Sequence, residues 1–269
     1  MPTVASGSLS DSDLLAVLHE TATAVRKALD GLSDWGLAGT VDSQYHHDLV
    51  ADEAALSVLR GAGLSVVSEE SGATAAGVSS GAVSSGGVSS GGVVVVLDPV
   101  DGSTNASHGI PWWNTSLCAV DPDGARAAVV VNQADGRRYE AVRGGGARCD
   151  GRPLVPSGCT SASAAMVGLN GLPPRHLGWK QYRALGATAL DLCAVAAGVL
   201  DGWIDCTRRG NAPWDYLGGM LICLEAGAVV VDAEGQDLVT VDHAARRTPV
   251  AAATPELLAE LLGARRSFS

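Results

Sequence analysis

Aromatic residues are scarce in this 269-residue chain: one Phe, four Tyr and six Trp make up 4% of it. A core with so few rings must rest on aliphatic side chains, and hydrophobic residues still account for 46% of the sequence. That suffices for a large core, in one unit or in two closely packed halves. Charged residues are also few, at 17%, and unbalanced: 29 acids face 18 Lys and Arg, for a formal net charge of −11. So little positive charge argues against nucleic acid or an anionic membrane as partner. No apolar stretch is long enough to span a bilayer. The opening MPTVASGSLSDSD lacks a basic start followed by an apolar run and does not read as a signal peptide, so the expectation is a cytoplasmic protein. The six cysteines (Cys118, Cys149, Cys159, Cys193, Cys206, Cys223) include no CxxC pair. They read as reduced thiols, with Cys193 and Cys223 as small core hydrophobes.

The chain opens on a helix over Asp11–Asp30, with Ser10 and Asp13 as a capping box, an apolar stripe of Leu14, Leu18, Val25 and Leu29, and Gly31 as its stop. A second helix is expected over Asp52–Arg60, followed by a strand Leu64–Val67 that delivers Ser68, Glu69 and Glu70. Residues 71–92 are low-complexity Gly and Ser, read as a solvated loop or, alternatively, a lid over an adjacent site. Val93–Leu97 is a buried strand. Ser116–Val120, Ala127–Val131 and Arg138–Val142, parted by DPDG and ADG turns, predict an antiparallel meander, and Gly144–Gly146 and CDGRPL a turn-rich passage. A shift near Ser157–Ser163 suggests two parts, residues 1–156 and 157–269. In the second, strands Ala165–Leu169 and Ala228–Asp232 alternate with helices Thr188–Leu200 and Trp214–Ala226, and Thr254-Pro255 opens a last helix. The fold class is α+β, with sheets between helices.

The sharpest chemical signal is LDPVDGSTN, directly after the apolar strand. Two carboxylates three residues apart across a Pro-containing turn aim at one spot. Gly102 permits a tight bend, which turns the amides of Gly102, Ser103 and Thr104 toward an anion. Hard oxygen ligands shared with water and phosphate suit Mg²⁺. Alone, the run also reads as an Asp-rich turn. Glu69-Glu70 at the end of one strand and Asp215 at the start of a later helix shift the balance, although each also reads as an ordinary exposed or helix-start acid.

In order along the chain, SEES (Ser68–Ser71), DPVDGSTNASHGIP, LGATALDLCAVAAGVLDGW and WDYLGGMLICLEAGA resemble the motifs of the inositol monophosphatase family of metal-dependent, lithium-sensitive phosphatases. The resemblance covers roughly residues 11–262. It implies a layered αβαβα sandwich of the inositol monophosphatase/fructose-1,6-bisphosphatase type, a homodimer, and two or three Mg²⁺ ions that acidify a water and stabilise the leaving oxygen. Carried over by position, Glu69, Asp98, Asp101, Asp215 and the Val100 carbonyl are the metal ligands. Ser103 stands at the family's Thr, which with Glu69 holds the attacking water. Asp52, in a DLVADEA run shorter than the family's element, matches the acid that pairs with that hydroxyl. The family's upstream loop lysine has no counterpart in TVDSQYHHDLV. His108 reads as a turn residue or a base, and His46-His47 as solvated or metal-binding.

The family acts on inositol phosphates, histidinol phosphate, fructose bisphosphate and 3′-phosphonucleotides, so membership cannot choose a substrate. Gly186, Ala187 and Thr188 fall where the family lines its pocket. Asp215 falls there too. An acid seven residues before it often contacts substrate hydroxyls in inositol phosphatases, and here that place holds Arg208. Either Asp205 supplies the acid, or Arg208 grips a second anionic group, or Arg208 faces solvent or pairs with Asp205. Trp112 and Trp113 read as core packing or as a substrate wall. The expected function is hydrolysis of an inositol or sugar phosphate, with nucleotide, bisphosphate or histidinol-phosphate hydrolysis as alternatives and a metal- and phosphate-binding protein without turnover as the rival class.

Overall fold

A computed structural model describes residues 9–39, 44–75 and 92–268. The first helix, α1 (Asp11–Asp30), starts where Ser10 accepts a hydrogen bond from the Asp13 amide at 3.2 Å. The second, α2 (His46–Gly61), begins six residues earlier than the sequence suggested. The chain then forms β1 (Ser65–Ser68), β2 (Gly72–Thr74), β3 (Val94–Asp101), the short α3 (Ser103–Ser107), β4 (Asn114–Asp121), β5 (Gly124–Asn132), β6 (Arg138–Val142), β7 (Gly146–Cys149) and β8 (Arg152–Pro153). These eight strands make one sheet in the order β2-β1-β3-β4-β5-β6-β7-β8. Only β1 and β3 run parallel, and the rest are antiparallel, so the turn-rich CDGRPL passage is in fact the sheet's far edge. The lid alternative for the Gly/Ser segment lies, for residues 76–91, outside the described residues.

The run Val94–Leu97 is apolar at every position because both faces of the sheet are covered. Val95 and Leu97 point to one side, where Leu14, Leu18, Val25 and Leu59 of α1 and α2 pack on them. Val94 and Val96 point to the other, toward α4 (Thr188–Ala196) and α5 (Pro213–Ala226). Those helices carry a second sheet on their far side, ordered β10-β9-β11-β13-β12. Its strands are β9 (Met166–Asn170), β10 (Gln181–Arg183), β11 (Gly202–Asp205), β12 (Val229–Asp232) and β13 (Pro249–Ala252). Finally α6 (Pro255–Arg266) closes the outer face with Leu257, Leu258 and Leu261 against Val167, Leu169, Ile204 and Val250. The result is the five-layered αβαβα sandwich. The division at 156/157 falls between the two sheets, yet α4 and α5 share one apolar cluster with both.

Helix α5 fits this middle layer because it presents Gly218 and Gly219 where neighbours come closest. A Cβ on Gly218 would lie 2.7 Å from Ser116 Oγ, and one on Gly219 would lie 2.7 Å from both the Ala189 carbonyl oxygen and Leu192 Cβ. The α4–α5 contact therefore depends on an absent methyl group. Helix propensity alone favours Ala over Gly by about 1 kcal/mol, while overpacking a tight contact costs about 1–3 kcal/mol. Gly219→Ala is expected to lower the unfolding free energy in urea by up to about 2 kcal/mol. Equal or greater stability would show that the two helices can part.

Candidate active site

The site grows from the end of β3. Its ladder with β4 breaks register between Asp98 and Asp101, where Pro99 has no amide to donate. The turn closes on itself: the Val100 amide donates to Asp98 Oδ1 at 3.0 Å, and Thr115 Oγ1 donates to the Pro99 carbonyl at 2.9 Å. Gly102 then takes φ +89°, and a Cβ there would sit 3.2 Å from the Trp112 carbonyl oxygen and from Ala187 Cβ. Both the backbone sign and the crowding demand glycine. Asn105 Nδ2 donates to the carbonyls of Trp112 and Leu185 at 2.7 Å each, and so ties α3 to the segment that leads into α4.

Three segments bring acids to this point. The Glu69 amide donates to the Leu97 carbonyl at 3.2 Å, which holds the end of β1 beside β3. Asp215 sits in the first turn of α5, where the Ala212 amide donates to its Oδ2 at 2.6 Å. One carboxylate oxygen each from Glu69, Asp98 and Asp215 lies within 4.8 Å of the others. Asp101, next to this triad, has its Oδ2 held by Asn114 Nδ2 and the Ala189 amide, both at 2.8 Å. Burial and then the charges of Asp215, Glu70, Asp101 and Asp48 push Glu69 up to about 8. Burial and Asp101 push Asp215 up to about 8. Burial first, then Glu69, Asp101 and Asp215, hold Asp98 well above the ordinary carboxylate range. Asp101 rises only to about 6, because burial is opposed by its Asn114 and Ala189 donors. A set made of hard oxygens that repel one another fits a hard divalent cation, whose charge reverses the sign of that interaction.

The structure corrects the partner of Ser103. Its hydroxyl lies 2.8 Å from both Asp48 Oδ1 and the Val100 carbonyl oxygen. Asp52 instead accepts from Ser68, one turn further along α2. The expected late start of α2 put Asp52 at the helix N-terminus. The true start gives that place to Asp48, whose Oδ2 accepts from the Tyr45 amide at 3.0 Å. The DLV run carried the signal, since its first residue is this acid.

Two further pocket candidates can now be located, and Arg208 takes the solvent-facing alternative. Arg208 is 83% exposed by side chain and pairs with Glu234 at 3.2 Å, with Arg209 on the same carboxylate at 3.0 Å. Asp205, placed to replace an acid, is fully buried: its oxygens accept from Asn170, Thr207 and Asn211. It acts as a latch, since Asn211 also accepts from Thr188 Oγ1 at 3.1 Å. Gly186 and Ala187 face Gly102 as described, and Thr104 is exposed, with its Oγ1 3.5 Å from the Tyr45 hydroxyl. The Trp112 indole donates to Asp191 Oδ1 at 2.8 Å, and Trp203 donates to its Oδ2 at 3.0 Å. His108 ends α3, with Nδ1 2.9 Å from the Thr104 carbonyl oxygen.

Sequence reasoning missed one neighbour of the acids altogether. The loop between β12 and β13 lays the His243 ring 4.6 Å from that of Trp214 and the Arg246 guanidinium carbon 5.3 Å from the same ring centroid. His243 Nε2 is 3.4 Å from the Glu69 carbonyl oxygen, so this loop spans from Glu69 to the start of α5. Its HAARR stretch carries no motif that marks it in the sequence.

Comparison with known proteins agrees with this geometry. The profile of the Inositol monophosphatase family matches residues 17–268. The chain belongs to that family. It is 31% identical, over 86% of its length and 88% of the relative's, to an Archaeoglobus fulgidus protein named fructose-1,6-bisphosphatase/inositol-1-monophosphatase. It is 28% identical to a Pasteurella multocida protein named Nus factor SuhB, over 84% and 83% of the two chains. A solved Pyrococcus horikoshii structure, described as similar to inositol-1 monophosphatase, superposes with a TM-score of 0.76 at 25% identity, covering 93% of this chain and 96% of that one. The inositol monophosphatase family member described here thus has both the family's fold and a cluster of acids suited to its metal dependence.

A cation that binds only the folded chain stabilises it by mass action. Raising Mg²⁺ or Mn²⁺ from zero to about 100 times its Kd is expected to raise Tm by several degrees, since such occupancy adds about 2.7 kcal/mol. Asp98→Asn is expected to abolish that shift, with a metal-free Tm no lower than wild type because a buried charge is gone. An undiminished shift in Asp98→Asn, read by differential scanning fluorimetry, removes Asp98 from the site.

Proposed function

We propose that this protein is a Mg²⁺-dependent phosphatase that hydrolyses a small phosphomonoester, an inositol or sugar phosphate. The observation that carries the reading is the meeting of Glu69, Asp98 and Asp215 oxygens within 4.8 Å beside the Ser103–Asp48 hydrogen bond. Bound Mg²⁺, two or three ions, supplies Lewis-acid charge for a water nucleophile and for the leaving oxygen. Glu69, Asp98, Asp101, Asp215 and the Val100 carbonyl hold that charge in place. Ser103 donates its hydroxyl hydrogen to Asp48, which leaves its oxygen to accept one from the attacking water, and Glu69 takes part on the same water. The backbone N–H groups of Gly102, Ser103 and Thr104 face the phosphate. Phosphoryl transfer asks for little beyond such positioning and charge. Lithium inhibition, a homodimer and a cytoplasmic location belong to this reading through the family resemblance.

Activity on p-nitrophenyl phosphate is expected to vanish with chelator and return with Mg²⁺, and Ser103→Ala and Asp48→Asn are each expected to lower kcat by about 10²–10⁴. Asp52→Asn should cost far less. No phosphate release with Mg²⁺ from any of a panel of phosphomonoesters would instead favour a binding protein without turnover; one relative is named a Nus factor and not a phosphatase.

A second reading of the substrate rests on Arg246. Its NH1 donates to the carbonyls of His243 and Ala245 at 2.9 and 2.8 Å, which fixes the guanidinium over Trp214. Trp214 immediately precedes Asp215, so the guanidinium stands at the start of α5, and its positive charge counters part of the rise at Asp215. A planar cation fixed at the rim suits a second phosphate or carboxylate, a role the sequence had suggested for Arg208. If the substrate carries such a group, Arg246→Ala lowers kcat/KM for fructose 1,6-bisphosphate about tenfold more than for myo-inositol 1-phosphate. An unchanged ratio returns the choice to a monophosphate.

A further inference from the structure

His47 breaks the rule that a buried polar side chain finds a partner. Its side chain has no exposed surface, and neither ring nitrogen meets a hydrogen-bond partner with good geometry. The ring lies in an aromatic cage, 5.1 Å from Tyr45 in a stacked pose and 4.9 Å from Trp35, which in turn meets Trp113 edge-on at 5.8 Å. Phenylalanine would fill this cage equally well. Leaving a buried imidazole unpaired costs about 1–3 kcal/mol, so in packing terms histidine is the poorer choice. Local rules that a sequence breaks without structural gain tend to mark function.

Its approach to one carboxylate is informative. His47 Nε2 lies 3.3 Å from Asp48 Oδ1, the same oxygen that sits 2.8 Å from Ser103 Oγ. The contact does not meet hydrogen-bond geometry, yet at 3.3 Å a ring N–H is close enough to act on the carboxylate electrostatically. Asp48 is buried and adds its negative charge to that felt by Glu69, Glu70 and Asp98, so its own orientation needs support against repulsion. The Tyr45 amide holds Oδ2, which leaves Oδ1 to Ser103, with His47 Nε2 beside it.

We infer that His47 is a positioning residue: its neutral Nε2–H leans on Asp48 Oδ1 and holds that carboxylate where the Ser103 hydroxyl must donate to it. This rests on the phosphatase reading above. Burial lowers the imidazole to about 4, so it stays uncharged at neutral pH and does not cancel the Asp48 charge. The role requires the Nε2–H tautomer. The His47 ring lies beside Tyr45, Trp35 and Asp48, none of them an expected metal ligand, so its effect passes through Asp48.

The test uses the full chain with saturating Mg²⁺ and p-nitrophenyl phosphate. His47→Phe is expected to lower kcat about tenfold, with KM within threefold and Tm equal to or above wild type. His47→Gln, which returns an N–H at similar reach, is expected to recover at least half of the logarithmic loss. In a Ser103→Ala background, His47→Phe is expected to cost less than twofold, because coupled residues are non-additive. In ¹⁵N NMR of the wild-type chain, His47 is expected as the Nε2–H tautomer with no titration between pH 5.5 and 8. A kcat within threefold in His47→Phe overturns the inference. So does an equal loss in the Ser103→Ala background, no recovery by His47→Gln, or an Nδ1–H tautomer. A wild-type chain that turns over no phosphomonoester overturns the phosphatase reading instead, and the NMR tautomer then still decides whether the Nε2–H faces Asp48.

Discussion

Repulsion among acids is the constraint around which this molecule is built. Two unit charges about 4.8 Å apart, in an effective dielectric of about 20, repel by about 3.5 kcal/mol, and here a third and fourth acid stand beside the pair. That exceeds the net gain of about 1.5–3 kcal/mol from a single hydrogen bond to a charged group. No one donor can hold such a cluster, so the acids either take up protons or share a cation. Three of the four acids have their own backbone or side-chain donor: the Val100 amide for Asp98, Asn114 and the Ala189 amide for Asp101, and the Ala212 amide for Asp215. These donors fix where each carboxylate points and leave its charge to be balanced from outside.

Because the donors come from distant parts of the chain, the site also fastens the two sheets to each other. Asp101 ends a strand of the first sheet and is gripped by the first turn of α4. Asn105 reaches the carbonyl of Leu185, Trp112 reaches Asp191, and Thr188 connects through Asn211 to Asp205 at the end of β11. All of these polar ties lie at one end of the middle helical layer. Its remainder is mostly apolar, apart from Glu225 and the Tyr216 hydroxyl, and is packed to the limit set by Gly218 and Gly219. Sandwich and site therefore depend on the same interface, and a shift of α4 against the first sheet moves the Ala189 amide away from Asp101.

The region around Ser103 follows a different logic. There the chain keeps polar groups buried for orientation more than for charge: Asp48 between the Tyr45 amide and the Ser103 hydroxyl, and His47 in its aromatic cage behind them. A protein with so few aromatic residues places Trp35, Tyr45 and Trp113 together at this one corner. The rings pack around His47, which like Asp48 is buried, and in that low-dielectric setting a single N–H dipole acts on Asp48 with little screening.

Much of this was written in local sequence. The apolar period of α1, the fully apolar Val94–Leu97 and the DPVDG turn each depend on neighbours within a few residues, so the helix, the buried strand and the Asp98/Asp101 pair were legible directly. The helix start at His46 was not, because its cap is an amide–carboxylate bond and Tyr45 is an unusual residue to precede a helix; nor was Asp48, because the shortened DLVADEA run was matched to the family's element at Asp52. Arg208 and Arg246 show the same divide. Spacing from Asp215 favoured Arg208, but a loop can turn its side chains to either side, and only the packing of the β12–β13 loop against Trp214 and Glu69 decides which arginine stands beside the acids. Sequence by itself thus determined which residues carry charge and where strands and turns must lie. Tertiary structure alone decided which of those charges meet, because meeting depends on contacts between segments more than a hundred residues apart.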